Sequence, residues 1–129
     1  MSNPSKRKGT EWEVALKDFL NGVLGHRTKV YRPAQSGFKD EGDLHGLSPF
    51  VGQAKNYKDL AAALREGTDG AETQAGHAGE TYGVAFIKRA RRSVAEGYAV
   101  MKVTSWAEFF RDYLDLRDEN EALRRRLGE

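Results

Sequence analysis

The sequence has no cysteine and only three prolines among its 129 residues. Without cysteine there can be no disulfide framework and no thiolate metal site. No apolar run approaches the roughly 20 residues that a membrane-spanning helix needs. The start of the chain, MSNPSKRKGT, is basic but does not lead into the apolar core of a secretion signal. These absences favour a reducing, intracellular setting, and we expect a cytoplasmic protein.

A large net charge is also missing, because 21 Lys and Arg residues nearly balance 19 Asp and Glu residues to give +2. The basic residues are clustered, however, near the N-terminus and in the segment KRARR. Such clusters suit phosphate groups, although either one alone is equally typical of a solvated surface. The candidate phosphate-binding residues are Lys6, Arg7, Lys8, Arg32, Lys88, Arg89, Arg91 and Arg92.

Helical and strand patterns alternate along the chain and predict one α/β domain. Apolar spacing predicts a helix from Thr10 to about Leu24, with Thr10 and Glu13 forming a capping box. A second helix is predicted over residues 57–65, a short one over 71–78, and a long final one capped by Ser105. Five segments are typical of strands: RTKVYRP, GDLHG, FVGQAK, YGVAFIK and GYAVMKV. The order α-β-β-β-α-β-β-α predicts a mixed sheet flanked by helices.

Two neighbouring strands carry polar residues in an otherwise apolar stretch, GDLHGLSPFVGQAK. If residues 47–49 form a three-residue loop, Leu44 pairs with Gly52. Asp43 then lies directly opposite Gln53, with the two Cβ atoms roughly 5 Å apart. Polar groups in strand centres are destabilising unless something uses them, so this pair is a candidate site.

Lys55 lies two residues beyond Gln53 and therefore on the same face of the predicted strand. A carboxylate and an amide oxygen are hard ligands suited to Mg²⁺, and a bound water can become a nucleophile. A nearby ammonium group can assist that water or stabilise a phosphorane, so the set suits phosphodiester hydrolysis. Taken alone, Lys55 is more typical of a surface lysine, and Asp43 has an alternative interpretation as a turn residue.

An aspartate followed by a hairpin and Gln-x-Lys resembles the core of the PD-(D/E)XK nucleases, and VGQAKNY is similar to the strand of Mrr-type restriction endonucleases. The segment KRKGTEWEVALKDFL resembles the opening of archaeal-type Holliday junction resolvases, in which a glutamate stands four residues after a glycine. YRPAQSG resembles the resolvase segment that places a serine before the catalytic aspartate. The sequence departs from the family pattern at Gly42, where the family has proline, and at Gln53, where it has an acid.

This resemblance, which covers about residues 6–105, implies a restriction-endonuclease-like fold and a set of residue roles. The implied catalytic residues are Glu13, Ser36, Asp43, Gln53 and Lys55. Mg²⁺, or alternatively Mn²⁺, would be held by Glu13, Asp43, Gln53 and the backbone carbonyl of Ala54. Two of these roles have plainer alternatives, because Glu13 also fits a capping partner and Ser36 an ordinary loop serine.

The last helix carries a heptad pattern and leads us to divide the chain into a nuclease domain, 1–108, and a C-terminal helical segment, 109–129. The candidate a and d positions recur at spacings of 4, 3, 4, 3 and 4: Phe109, Tyr113, Leu116, Asn120, Leu123 and Leu127. A lone Asn at a is typical of a parallel two-stranded coiled coil, so we expect a homodimer with flanking pairs Asp112–Arg117 and Glu119–Arg124 between subunits. The alternative is that the first aromatic residues pack on the sheet and the rest is a solvated tail.

Taken together, the sequence predicts a Mg²⁺-dependent endonuclease that binds DNA and most resembles a Holliday junction resolvase. Two symmetric active sites would match the two strands cut in a four-way junction. One alternative is a restriction-like or repair nuclease that acts on ordinary duplex DNA. The other is a non-catalytic DNA-binding protein that assists recombination.

Overall fold

A computed structural model of the chain describes residues 4–34 and 42–128. Its principal elements, in chain order, are α1 (Pro4–Leu24), β1 (Leu44–Leu47), β2 (Phe50–Lys55), α2 (Leu60–Ala78), β3 (Tyr82–Ile87), β4 (Tyr98–Val100) and α3 (Val103–Arg126). The strands form one sheet in the order β1-β2-β3-β4, with β2 and β3 parallel and the two outer pairs antiparallel. The predicted α/β class with a mixed sheet is therefore confirmed.

None of the helices in the described part of the chain has the length and apolar character needed to cross a membrane.

The segment RTKVYRP was predicted to be a strand, but it contributes only one isolated bridge, between Tyr31 and His45. Pro33 has no N–H to continue this ladder, and the side chain of Asn21 binds the other edge of the segment. Its Oδ1 accepts the N–H of Val30 at 2.7 Å, and its Nδ2 donates to the Val30 carbonyl at 3.0 Å. Because a side chain satisfies these backbone groups, they are not available for a second strand.

The helix ends also differ from the predicted ones. α1 begins at Pro4, so Thr10 lies inside the helix and the predicted capping box is wrong. α3 begins at Val103 after Lys102, and the hydroxyl of Ser105 donates to Glu72 instead of capping the helix. Asp59 does cap α2, because its side chain accepts the N–H of Ala62 at 3.2 Å.

The two short helices predicted over 57–65 and 71–78 are one continuous helix, α2. Its glycines and alanines allow the helix to lie very close to the sheet. The Cβ of Ala85 and the Cγ of Lys55 would lie 3.1 and 3.3 Å from a Cβ at Gly67, and the backbone carbonyl of Ala71 lies against Gly83. The Gly- and Ala-rich composition of α2 is thus what the packing requires.

α1 packs on the opposite face of the sheet from α2 through Trp12 and Leu16, which are 3% and 4% exposed. The indole N–H of Trp12 donates to the carbonyl of Phe86 at 3.0 Å. The indole ring also fits against Gly97, where an added Cβ would lie 2.9 Å from the ring. Leu44 completes this core.

α3 has no buried residue and is attached to the sheet near its N-terminal end. Phe109 packs against Phe50 and Tyr82 with ring centroids 5.0 and 5.8 Å apart, and the Tyr82 hydroxyl donates to Asp112. Lys102 pairs with two acids of α2, at 3.0 Å each, and both hydrogen bonds raise its pKa. Phe109 and Asp112 are therefore engaged within the same chain, and the boundary placed between 108 and 109 falls inside α3.

Gly83→Ala should destabilise the protein by about 1–3 kcal/mol, because the new methyl group would overlap the backbone carbonyl of Ala71, which cannot rotate away. Gly76→Ala is the matched control, since Gly76 is exposed on α2 and, apart from its own stretch of the helix, no described atom lies within 4 Å of the added Cβ. That control should stabilise the protein by about 0.5–1 kcal/mol through helix propensity. Urea unfolding measures both, and a neutral Gly83→Ala variant would contradict the close packing.

The Tyr82–Asp112 hydrogen bond predicts a pH-dependent contribution to stability. This bond is the main reason that the pKa of Tyr82 rises to about 12 and that the pKa of Asp112 falls below its usual value. Its stabilisation should be complete between about pH 4 and pH 10, and should decline as Asp112 protonates at lower pH or as Tyr82 ionises towards pH 12.

Tyr82→Phe should therefore lower the melting temperature at neutral pH, and the difference from wild type should shrink as the pH falls below about 4 and Asp112 becomes protonated. Tyr98→Phe is the control, because the ring of Tyr98 contacts Arg89 at 4.9 Å and phenylalanine keeps that contact. Thermal unfolding followed by circular dichroism at several pH values measures both variants. A Tyr82→Phe difference that does not vary with pH would refute the assignment.

Candidate active site

The hairpin places Asp43 at the end of β2. Leu44 pairs with Gly52 as predicted, but the turn contains two residues instead of three, because Leu47 pairs with Phe50 and the register shifts in between. Asp43 precedes β1, and its carboxylate accepts the backbone N–H of Ala54 at 2.8 Å. The Asp43 carboxylate is therefore held at the sheet edge beyond the first residue of β1, next to the strand that carries the Gln-x-Lys motif.

The conformation of Gly42 explains why this position does not carry the proline of the nuclease pattern that the sequence resembles. Its φ is +102°, a conformation that proline cannot adopt because its ring fixes φ near −65°. A Cβ at this position would also lie 2.5 Å from the Cγ2 of Val51. The glycine is thus required by the path that the backbone takes into Asp43.

A cavity of about 490 Å³ lies between α1 and the start of β1, and both predicted acids line it. Glu13 is on α1, and its Oε1 accepts from the Nε of Arg32 at 3.0 Å. Since the helix begins six residues before Thr10, Glu13 is not a capping partner. The residues lining the cavity are Lys6, Gly9, Thr10, Glu13, Arg32, Pro33, Gly42 and Asp43.

A second cavity, of about 540 Å³, contains Lys55 and shares Gly9 with the first. The Nζ of Lys55 donates to the hydroxyl of Tyr57 at 3.2 Å and lies 5.2 Å from the centre of that ring. Its other lining residues are Lys8, Ala54, Asn56, Tyr57, Lys58 and Asp59. Glu13, Asp43 and Lys55 therefore border two adjoining spaces around the N-terminal half of α1.

Gln53 is not among the described residues that line the two cavities. It is 6% exposed and lies on the face of β2 that α2 covers, where a Cβ at Gly70 would be 2.5 Å from its Oε1. That oxygen has no hydrogen-bond partner in the described part of the chain. The side chains of Asp43 and Gln53 are thus not brought together in one cavity. Gln53 and Lys55 do share a face, because Lys55 also lies against α2 at Gly67.

The predicted basic residues divide between these cavities and one edge of the sheet. Lys6 and Lys8 each line one cavity, and Arg7 is exposed beside them on α1. The KRARR segment follows β3 at the same end of the sheet as Lys55, since the N–H of Lys88 donates to the Lys55 carbonyl at 3.0 Å. Within it, Arg92 pairs with Glu96 at 3.8 Å, Arg89 contacts the ring of Tyr98, and Arg91 is exposed. Ser36 lies outside the described residues.

The donor set around Asp43 is small but suits Mg²⁺. Within residues 4–34 and 42–128, no group of three or more His, Cys, Asp or Glu side chains could hold a metal ion. Mg²⁺ usually keeps several waters and takes only one or two protein carboxylates. Glu13 and Asp43 meet that requirement, and the Ala54 carbonyl points to the same side of β2 as the N–H that Asp43 binds.

Sequence reasoning missed the three residues after β2 that complete the second cavity, Asn56, Tyr57 and Lys58. Tyr57 orients the ammonium of Lys55, and Asn56 donates to the carbonyl of Lys8 at 3.4 Å. The signal was available, because NYK directly follows the Gln-x-Lys motif and combines amide, phenol and ammonium groups.

Comparisons with protein-family models, with curated proteins and with solved structures found no significant match. The described geometry defines an α/β protein with an acidic and basic site at the end of β2.

Gln53→Glu should destabilise the protein increasingly as pH rises. Burial under α2 should raise the pKa of the introduced carboxyl. In the described part of the chain no donor binds Oε1 of Gln53, so no hydrogen bond would stabilise the ionised form of a glutamate at this position. A raised pKa means that stability approaches that of wild type below about pH 4 and is lost as the carboxyl ionises at higher pH.

Gln53→Met is the control, because it has nearly the same shape and cannot ionise. Thermal unfolding at several pH values, with and without Mn²⁺, measures the effect. We expect Mn²⁺ to restore little of the lost thermal stability. Full restoration by Mn²⁺ would mean that the side chain at position 53 binds the metal, and that it leaves its place under α2 to do so.

Proposed function

We propose that this protein is a Mg²⁺-dependent DNA endonuclease of the PD-(D/E)XK type that acts on branched DNA, and most specifically on four-way junctions. The observation that carries the proposal is the position of Asp43. Its carboxylate binds the N–H of Ala54, between Gln53 and Lys55, and lines the same cavity as Glu13. A carboxylate fixed to the Gln-x-Lys strand and a second acid on the first helix are what the resemblance requires.

The chain's own residues have separate roles in the proposed reaction. When bound, Mg²⁺ would lower the pKa of a coordinated water and offset charge on the phosphate. Glu13, Asp43 and the Ala54 carbonyl would hold it. Lys55, oriented by Tyr57, would donate a hydrogen bond to the attacking water or to a phosphate oxygen. The water loses a proton to solvent as its oxygen bonds to phosphorus, one phosphorus–oxygen ester bond breaks, and the departing sugar oxygen takes up a proton from solvent.

Phosphate binding has support from the charges around the cavities. Lys6 and Lys8 lie on the first turns of α1, and Lys58 follows β2. The KRARR segment extends the positive charge along the same edge of the sheet. These side chains suit binding to the phosphates of the DNA backbone, which does not depend on the base sequence.

A non-catalytic DNA-binding role is the second candidate, and the ion pair between Glu13 and Arg32 favours it. At 3.0 Å, the guanidinium already neutralises the carboxylate that a metal would need. The buried amide of Gln53 points the same way, because it adds no charge to the site. In the nuclease, Arg32 would have to leave Glu13 and contact a phosphate when metal binds.

Cleavage of a synthetic four-way junction beside a linear duplex of equal length tests the proposal. Wild type should nick the junction symmetrically in Mg²⁺ and not in EDTA. Asp43→Asn should reduce the rate by about 100-fold or more, since it removes a metal-binding charge yet still accepts the Ala54 N–H. Glu13→Gln should behave similarly, whereas Glu11→Gln, an exposed neighbour on α1, should retain full activity.

The possible outcomes separate the candidate functions. Equal cutting of the junction and the duplex would leave a nuclease of the restriction or repair kind. Tight DNA binding with no cutting in Mg²⁺ or Mn²⁺ would establish the non-catalytic role. Activity unchanged by Asp43→Asn, in a variant that melts like wild type, would refute this site.

A further inference from the structure

An apolar stripe runs along the exposed side of α3. The helix has 24 residues, none of them buried, and at 1.5 Å per residue it is about 36 Å long. Its contacts with the sheet involve Phe109 and Asp112, and Ser105 contacts α2. These three residues lie in the first half of the helix, so most of its length carries apolar side chains that the rest of the described chain does not cover.

The exposed apolar residues follow one line with regular spacing. Seven large apolar side chains are between 43% and 82% exposed: Val103, Trp106, Phe110, Tyr113, Leu116, Leu123 and Leu127. With Asn120 included, the steps between successive residues are 3, 4, 3, 3, 4, 3 and 4. Steps of three and four keep side chains on one side of a helix, so these residues form a single strip.

The first half of this strip is preorganised by aromatic stacking. The rings of Trp106 and Phe110 stack at 5.4 Å with planes 5° apart, and Phe110 and Tyr113 lie 6.0 Å apart at 28°. Phe109 belongs to the heptad predicted from sequence, but it faces the sheet. In the heptad, the strip residues up to Tyr113 therefore occupy e and a positions, and the strip residues from Tyr113 to Leu127 occupy a and d positions.

We propose that this strip is the interface with a second copy of the same chain, paired as a parallel two-stranded coiled coil. Asn120 occupies an a position among apolar neighbours, and a single Asn at a favours two parallel strands in register. The pairing places Glu119 at g opposite the partner's Arg124 at e, an attractive contact in both directions. An antiparallel pair centred on Asn120 would instead bring Glu119 close to the partner's Glu119.

One of the two charge pairs expected from sequence involves an acid that already has partners in its own chain. Asp112 accepts from the Tyr82 hydroxyl and lies 3.4 Å from the Arg111 guanidinium, so a contact with the partner's Arg117 would compete with these two. The aromatic stack of Trp106, Phe110 and Tyr113 supplies exposed apolar contact area beside the docked segment. This inference does not depend on the proposed nuclease activity.

Sedimentation equilibrium of the full chain between about 1 and 100 μM tests the interface. We expect a mass of twice 14.4 kDa. Leu123→Arg should weaken the dimer at least tenfold, because it places a charge in the apolar strip. Ala122→Arg, an exposed neighbour that lies outside the strip, is the matched control and should leave the dimer intact.

The orientation of the helices can be tested separately because the chain has no cysteine. Leu127→Cys should form a disulfide-linked dimer on mild oxidation if the helices are parallel, since both copies of residue 127 then lie at the same level. Ala122→Cys should not, because it points away from the partner. An antiparallel pair would leave the Leu127→Cys thiols too far apart to link.

Several results would overturn the proposal. A wild-type mass of 14.4 kDa at 100 μM would exclude the dimer, and a trimer or tetramer would exclude two strands. Equal dimerisation by Leu123→Arg and wild type would move the interface elsewhere. A monomer whose Trp106 fluorescence is quenched by duplex DNA would assign the strip to nucleic acid instead.

Discussion

The contact of Trp12 with the sheet determines where the candidate acids lie. Its indole N–H is bound by the carbonyl of Phe86, and its ring fills the space that Gly97 leaves. Since Glu13 is the next residue and Gly9 lies one turn earlier, this anchor also sets the cavity wall that faces Asp43. The position of a candidate site carboxylate thus follows from a buried hydrogen bond on the neighbouring residue.

The opposite face of the sheet imposes a different constraint. α2 approaches β2 and β3 so closely that only Gly or Ala fits along much of its contact line. Gln53 is enclosed in this contact, and a neutral amide is tolerated there more easily than a carboxylate would be. The amide that stands where the nuclease pattern has an acid is therefore the residue that this packing favours.

Periodicity in the sequence predicted the α/β class and the pairing of Leu44 with Gly52, because apolar spacing and register are local properties. It did not predict that α1 begins at Pro4 or that α2 is continuous through its glycines, because the tertiary contacts that stabilise those segments leave no periodic signal. For the site, the strand motif predicted that Gln53 and Lys55 share a face. It could not show that Asp43 would bind the Ala54 N–H, which depends on the positive φ of Gly42.

α3 and the cavities lie at opposite ends of the central strands. Phe109 docks on Phe50 and Tyr82, the first residues of β2 and β3, whereas Lys55 is the last residue of β2. A strand of six residues separates these ends by roughly 17 Å. A reporter attached at the C-terminal end of α3 would consequently leave the Glu13 and Asp43 cavity open to large molecules in solution.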